Sequence, residues 1–310
     1  MSEEKTFQHF LELPAELRMM FIDKMEPDVR CRFSGCSKLS NKEAVNSKNY
    51  IYSLELYCDE SFKRICISHT AQKYDYYLTF TENLDEKTME CSNDARGALW
   101  EVKLDNSTDL IEYTAACLRA KLQKYKNSVK RLGVEWEFEN FDFEVEVEHF
   151  NNLEELEVIG DVDIQQFLSK TRHPLKKLVH CQVKTQKING DCEQIYQVKD
   201  CLVIPYLKLN NEKFEQLSAD WVSIDIGYLT EQDIFNIVRS WQNGTKRVDY
   251  FEWDIEDSSF NVPQLFELLD APKHELSERE LIINHYKEAG KVARLVWFDV
   301  SRRKIIFVVQ

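Results

Sequence analysis

The 310-residue chain carries 40 basic and 54 acidic side chains, a formal charge of −14. That balance repels phosphate backbones and argues against general nucleic-acid binding. A composition of 43% hydrophobic and 30% charged residues excludes a disordered chain, and eight glycines and six prolines leave little material for long flexible linkers.

The chain opens on polar residues, Met1 to Lys5, with no apolar stretch behind them, so no targeting signal is expected. No run approaches the roughly 20 apolar residues that a membrane span needs. The first segment reads as helical. Pro14 suits a first helical turn, where its missing N–H costs nothing, and Glu16 complements the positive dipole end. Leu17, Met20, Phe21 and Met25, with Ile22 beside them, form one wide apolar stripe. Pro27 stops this helix and Asp28 caps a second, which holds Val29 and Phe33. A third spans Cys36 to Val45. A unit of some 40 residues covers so wide a stripe poorly and calls for a partner.

From about residue 50 the pattern changes to short strands: Ile51 to Tyr57, Arg64 to Ser68, Tyr76 to Phe80 and Leu99 to Leu104. Thr108 to Tyr125 reads as an amphipathic helix whose face carries Leu110, Ala115, Leu118 and Leu122. Beyond it a strand-then-helix unit recurs. Strands fall near Val129 to Phe138, Leu153 to Ile159, Leu175 to Cys181, Cys201 to Leu209, Trp221 to Ile226, Arg247 to Ile255 and Arg294 to Val300. Anchors at Leu132, Leu156, Leu178, Leu202, Ile224 and Tyr250 lie 24, 22, 24, 22 and 26 residues apart, the spacing of leucine-rich-repeat-like units. The expected fold is α+β: three N-terminal helices over residues 8–48, then an irregular leucine-rich-repeat-like β/α stack over 50–310, with an ordinary open α/β domain as the alternative. Arg294 to Val300 and Lys304 to Val309 form a hairpin that could cap the stack.

Signs of chemistry are few. The nine cysteines are an odd number and read as reduced thiols of the cytoplasm or nucleus. No glycine-rich phosphate loop and no metal-ligand spacing exist, so no catalytic residue, metal or cofactor is assigned. Glu135, Glu137 and Glu139 alternate with Val134, Trp136 and Phe138. That pattern marks a solvated face, with contact to a basic target as the alternative. Trp221, Trp241, Trp253 and Trp297 are candidate contact residues, with core packing the default for most.

Residues 10 to 45 resemble an F-box. Leu13-Pro14-Ala15-Glu16-Leu17 carries the likeness, followed by Phe21-Ile22, Met25, Pro27-Asp28-Val29-Arg30, Phe33, Cys36-Ser37-Lys38 and Glu43-Ala44-Val45. Leu39 and Ser40 stand where the family's third helix carries an aromatic. The stretch to Ile51 is similar to the expanded nematode F-box families. A second stretch, Val222 to Ile226 with Leu229 to Gly244, is similar to the F-box-associated domain of those proteins (FBA type 2/FTH-like). In it Thr230 and Asp233 suit a helix start and Gly244 the turn after the helix.

The resemblance implies a non-enzymatic substrate-recognition adaptor of an SCF-type (Skp1–cullin–F-box) ubiquitin ligase. The Skp1-like linker contacts would be Leu13, Pro14, Leu17, Phe21 and Ile22, with Met25 nearer the module's core. Through the linker the chain would meet a cullin–RING ligase. Its C-terminal domain would hold a protein target, with no nucleic acid or membrane involved. The alternative is a repeat-type interaction scaffold without a ligase role.

Overall fold

Strands that alternate apolar and polar residues pair here into one sheet. The computed structural model describes residues 10–25, 29, 33, 36–40, 51–68, 76–83, 86–93, 97–138, 145–160, 162–181, 192–204, 207, 211–225, 230–255, 260–269, 280–299 and 303–310. The first strands are β1 (Ser53–Cys58), β2 (Lys63–Ser68), β3 (Tyr76–Asn83), β4 (Glu86–Asn93) and β5 (Gly97–Leu104). They form an antiparallel meander. Helix α1 (Ala15–Lys24) precedes them and α2 (Leu110–Tyr125) follows.

Six parallel strands come next: β6 (Arg131–Trp136), β7 (Glu155–Gly160), β8 (Lys177–Cys181), β9 (Cys201–Ile204), β10 (Trp221–Asp225) and β11 (Tyr250–Asp254). The helices α3 (Gln165–Leu168), α4 (Glu193–Tyr196), α5 (Asn211–Glu215) and α6 (Glu231–Gln242) connect β7 through β11, and α7 (Val262–Leu269) follows β11. The chain ends in β12 (Glu280–Asn284), β13 (Val292–Asp299) and β14 (Arg303–Val309).

The fourteen strands form a single sheet in the order β12-β13-β14-β11-β10-β9-β8-β7-β6-β1-β2-β3-β4-β5. This corrects the expected architecture of three helices followed by a stack of repeats. The parallel ladder does not end in exposed edges: β1 pairs parallel with β6 on one side, and β14 pairs antiparallel with β11 on the other. An unpaired strand edge is a row of unsatisfied N–H and C=O groups, and the two antiparallel meanders satisfy those rows. The final hairpin therefore extends the sheet rather than covering its end.

No three-helix unit stands at the N-terminus among the described residues. They show a 3-10 turn at Phe10–Glu12 and the one bounded helix α1, with helical conformation also at Val29, Phe33, Cys36 and Lys38–Ser40. The expected stripe on α1 is split. Ile22 is fully buried while Leu17, Met20 and Phe21 point outward, so this helix contributes little to a core of its own. The stops at Pro27 and Asp28, and the third-helix residues from Glu43 to Val45, lie outside the described residues.

One face of the sheet is the core. Leu54, Leu132, Leu156, Leu178, Leu202, Val222, Phe251, Phe307 and Leu295 lie side by side across nine strands and are all buried. Four of the expected anchors occupy this row. Ile224 lies two residues along its strand on the same face, and Tyr250 lies on the opposite face, one residue from Phe251.

The helices cover this side. On α2, Leu110, Thr114, Ala115, Leu118 and Leu122 are buried, and the Asp109 carboxylate caps the helix by accepting from the Ile111 and Glu112 N–H groups. On α6, Ile234, Ile237, Val238 and Trp241 recur at i, i+3, i+4 and i+7 and are buried. The Thr230 hydroxyl accepts from the Asp233 N–H at 3.3 Å, and the Asp233 carboxylate accepts from the Thr230 N–H at 2.8 Å. That reciprocal pair is a capping box, which ties the first turn of the helix to the residue before it.

Candidate functional site

Two surfaces hold the residues that sequence reasoning singled out. The first is α1. Its first turn begins at Pro14, whose carbonyl accepts from the Arg18 N–H at 3.1 Å, and the Arg18 guanidinium donates to the Leu13 carbonyl at 2.6 Å. The helix ends at Met25, whose N–H reaches the Ile22 carbonyl at 3.1 Å as the backbone turns extended.

Of the six expected linker contacts, Pro14 is exposed and Leu13 and Met25 are half-buried. Leu17 is 43% exposed and Phe21 50% exposed. Ile22 faces the opposite way and is 0% exposed. Met20, not among the six, is 55% exposed and shares the surface with Leu17 and Phe21. Soluble chains rarely leave large apolar side chains grouped on one helix face in water.

The second surface is the sheet face opposite the helices. Its central strands present Arg131, Gly133 and Glu135 on β6, Glu155, Glu157 and Ile159 on β7, and Lys177, Val179 and Cys181 on β8, all half-buried. The Arg131 guanidinium lies between Glu55 at 3.4 Å and Glu157 at 3.5 Å, and Lys177 reaches Glu157 at 3.7 Å. Glu55 is folded onto the sheet. Its carboxylate accepts from the Tyr57 hydroxyl at 2.7 Å, and its Cγ lies 3.0 Å from where a Cβ on Gly133 would stand. Glu55 thus takes the space that a side chain on Gly133 would need, and a dent of about 40 Å³ lies beside it, lined by Gly133 and by Glu55, Arg131, Glu135 and Glu157.

Burial raises the Glu135 carboxyl above the usual range, and the carboxylates of Glu137, Asp59 and Glu157 raise it further. Farther along the same face, Trp221 is 46% exposed and stacks on the Tyr250 ring with centroids 4.0 Å apart. Trp241 and Trp253 are core residues, and Trp297 is half-buried. The signal that marks Trp221 as outward was present in its strand: it precedes the inward Val222 by one residue.

A groove of about 500 Å³ lies at the end of α6, lined by Glu215, Ser218, Ser240, Thr245, Lys246 and Arg247. Burial pulls the Lys246 ammonium down to about 8, and its Nζ donates to the Phe214 carbonyl at 2.8 Å. Among the described residues no group of three His, Cys, Asp or Glu is placed to hold a metal ion, and no helix is long and apolar enough to cross a membrane. No disulfide joins the described cysteines.

Comparison of the chain with protein-family models, with curated proteins and with solved structures finds no match in any of the three.

Proposed function

We propose that the chain is a substrate-recognition adaptor of an SCF-type ubiquitin ligase, gripping a Skp1-like linker through α1 and a protein target through the large sheet. The observation that carries this reading is the outward apolar face of α1. Leu17, Met20 and Phe21 face solvent while Ile22, on the opposite side, is sealed inside. A helix needed only for the core would turn its largest side chains inward. Covering a large apolar side chain fully contributes roughly 1.5–3 kcal/mol, so a handful of such residues supports association after the entropy of binding is subtracted.

The F-box-like wording around Leu13 and Pro14 supplies the identity of the partner. In this reading the chain does no chemistry of its own. It raises the local concentration of a target lysine beside the ligase's loaded conjugating enzyme, in the cytoplasm or nucleus.

Co-expression with a Skp1-like protein and a cullin tests the proposal. The full chain is expected to co-purify with both, and Leu13→Ala combined with Pro14→Ala to lose both while the melting transition of the sheet is retained. A wild-type chain that emerges alone and monodisperse would overturn the reading.

A further inference from the structure

The uncovered sheet face is chemically graded from one side to the other. Around β1, β6 and β7 it is acidic. Glu55, Glu135 and Glu157 wall the dent over Gly133, with Arg131 as the cation among the lining residues. Arg131 is already shared between Glu55 and Glu157, and Lys177 of the next strand also reaches Glu157, so Glu135 is the carboxylate of the dent to which neither cation is paired. The charges that bear on Glu135 are the further carboxylates of Glu137, Asp59 and Glu157, so this end holds more negative than positive charge.

Toward β10 the face becomes apolar. Val179, Val203 and Ser223 follow one another in register, with Cys201, Trp221 and Tyr250 in the neighbouring row. The Trp221 ring is held flat against Tyr250 at an interplanar angle of 18°, so it is ordered without being covered. Four strand spacings of about 4.8 Å separate β6 from β10, or about 19 Å. An extended peptide covers that distance in about six residues.

We propose that this face is a docking surface for a basic, partly apolar segment of a partner protein, with a lysine or arginine side chain entering the dent over Gly133 and a large apolar side chain packing on Trp221. Charge complementarity selects this occupant. An acidic segment would add to the carboxylates around Glu135, and a wholly apolar one would bury them without a counter-charge, which is costly. A guanidinium or ammonium in the dent would supply the missing cation. The net charge of −14 also favours encounter with a basic partner. The inference rests on the adaptor reading in one respect: the occupant is then the ligase's target.

The test uses the full chain without a Skp1-like linker. A phage-displayed library of random peptides of about 12 residues, long enough to span the two sites, is selected on the wild-type chain. Enriched sequences are expected to combine lysine or arginine with a large apolar residue. Their affinity is expected to fall at least about tenfold, or 1.4 kcal/mol, for Glu135→Lys and for Trp221→Ala, and to fall with added salt. Thermal melting checks that both variants fold, and Glu135→Gln replaces the reversal if it does not. Enrichment of acidic or charge-free sequences, or affinity indifferent to both substitutions, would overturn the proposal. A chain that selects basic peptides yet ignores a Skp1-like linker keeps this surface and loses the adaptor reading. The opposite pattern does the reverse.

Discussion

A Cβ built on Gly160, the last residue of β7, would lie 1.8 Å from the carbonyl oxygen of Trp136, its register partner at the end of β6. The backbone there has φ +105, a conformation that side-chain-bearing residues rarely adopt. Only glycine lets the two parallel strands end this close together, and the close approach fixes where the chain leaves the sheet.

Gly160→Ala is therefore expected to destabilise the fold by more than about 2 kcal/mol, since overlap with backbone cannot be relieved by a side-chain rotation. Denaturant unfolding measures this. Gly133→Ala serves as the control. It meets the Glu55 Cγ at 3.0 Å, a side-chain atom rather than backbone and at a longer distance, so a smaller loss is expected.

Thr230→Ala removes the capping oxygen from α6 and leaves the Asp233 N–H without that acceptor. A loss of about 1 kcal/mol is expected, read as a lower melting temperature. Thr230→Ser restores the hydroxyl and is expected to recover most of it.

Burial pushes the Cys58 thiol up to about 12, whereas Cys36 is exposed. Only thiolate reacts with alkylating reagents. Brief iodoacetamide treatment of the native chain near pH 8 is expected to label Cys36 and spare Cys58, and unfolding is expected to equalise them. Peptide mass spectrometry reads the difference.

The Lys246 ammonium falls from 10.5 to about 8 because burial penalises its charge. Between these two values the unfolded chain holds a proton that the folded chain has released. Stability contributed at this site therefore rises as pH goes from about 8 to 10.5. Below that window the folded state carries the buried charge as a cost. The stability difference between the wild type and Lys246→Met is expected to shift in the wild type's favour across this window, as followed by urea unfolding at several pH values.

How far the sequence could be read depends on the kind of element. Leu132, Leu156, Leu178 and Leu202 lie in one ladder because inward leucines in parallel strands recur with their connections. Val222 and Phe251 take over that row from the expected Ile224 and Tyr250. The step along the row from Leu202 to Val222 is 20 residues and that from Val222 to Phe251 is 29, against 22 to 24 in the earlier steps, so an even spacing drifts off register. Strand β4 was not anticipated: Glu86–Asn93 is largely polar and has no clear alternation. Helix α7 was missed because Val262–Leu269 is a short apolar run that periodicity alone does not resolve. The Thr230 helix was legible because its caps are local chemistry.

The facing of α1 was not legible in the sequence. Leu17 and Phe21 share one apolar stripe with Ile22 in the sequence, yet the first two are outward and Ile22 is inward. A stripe of apolar residues shows that a helix is amphipathic, and tertiary packing then decides which side faces the core. Glu55 lies far from Gly133 in sequence and meets it only through the parallel pairing of β1 with β6, so the dent had no sequence signal.

Titration of a purified Skp1-like protein into the full chain, followed by calorimetry, tests the central claim most directly. The account predicts saturable binding that weakens at least about a hundredfold, or 2.7 kcal/mol, when Leu17→Asp and Phe21→Asp are combined, while the variant still shows a cooperative melting transition of the sheet. Absence of binding by the wild type, or equal binding by the double variant, would contradict it.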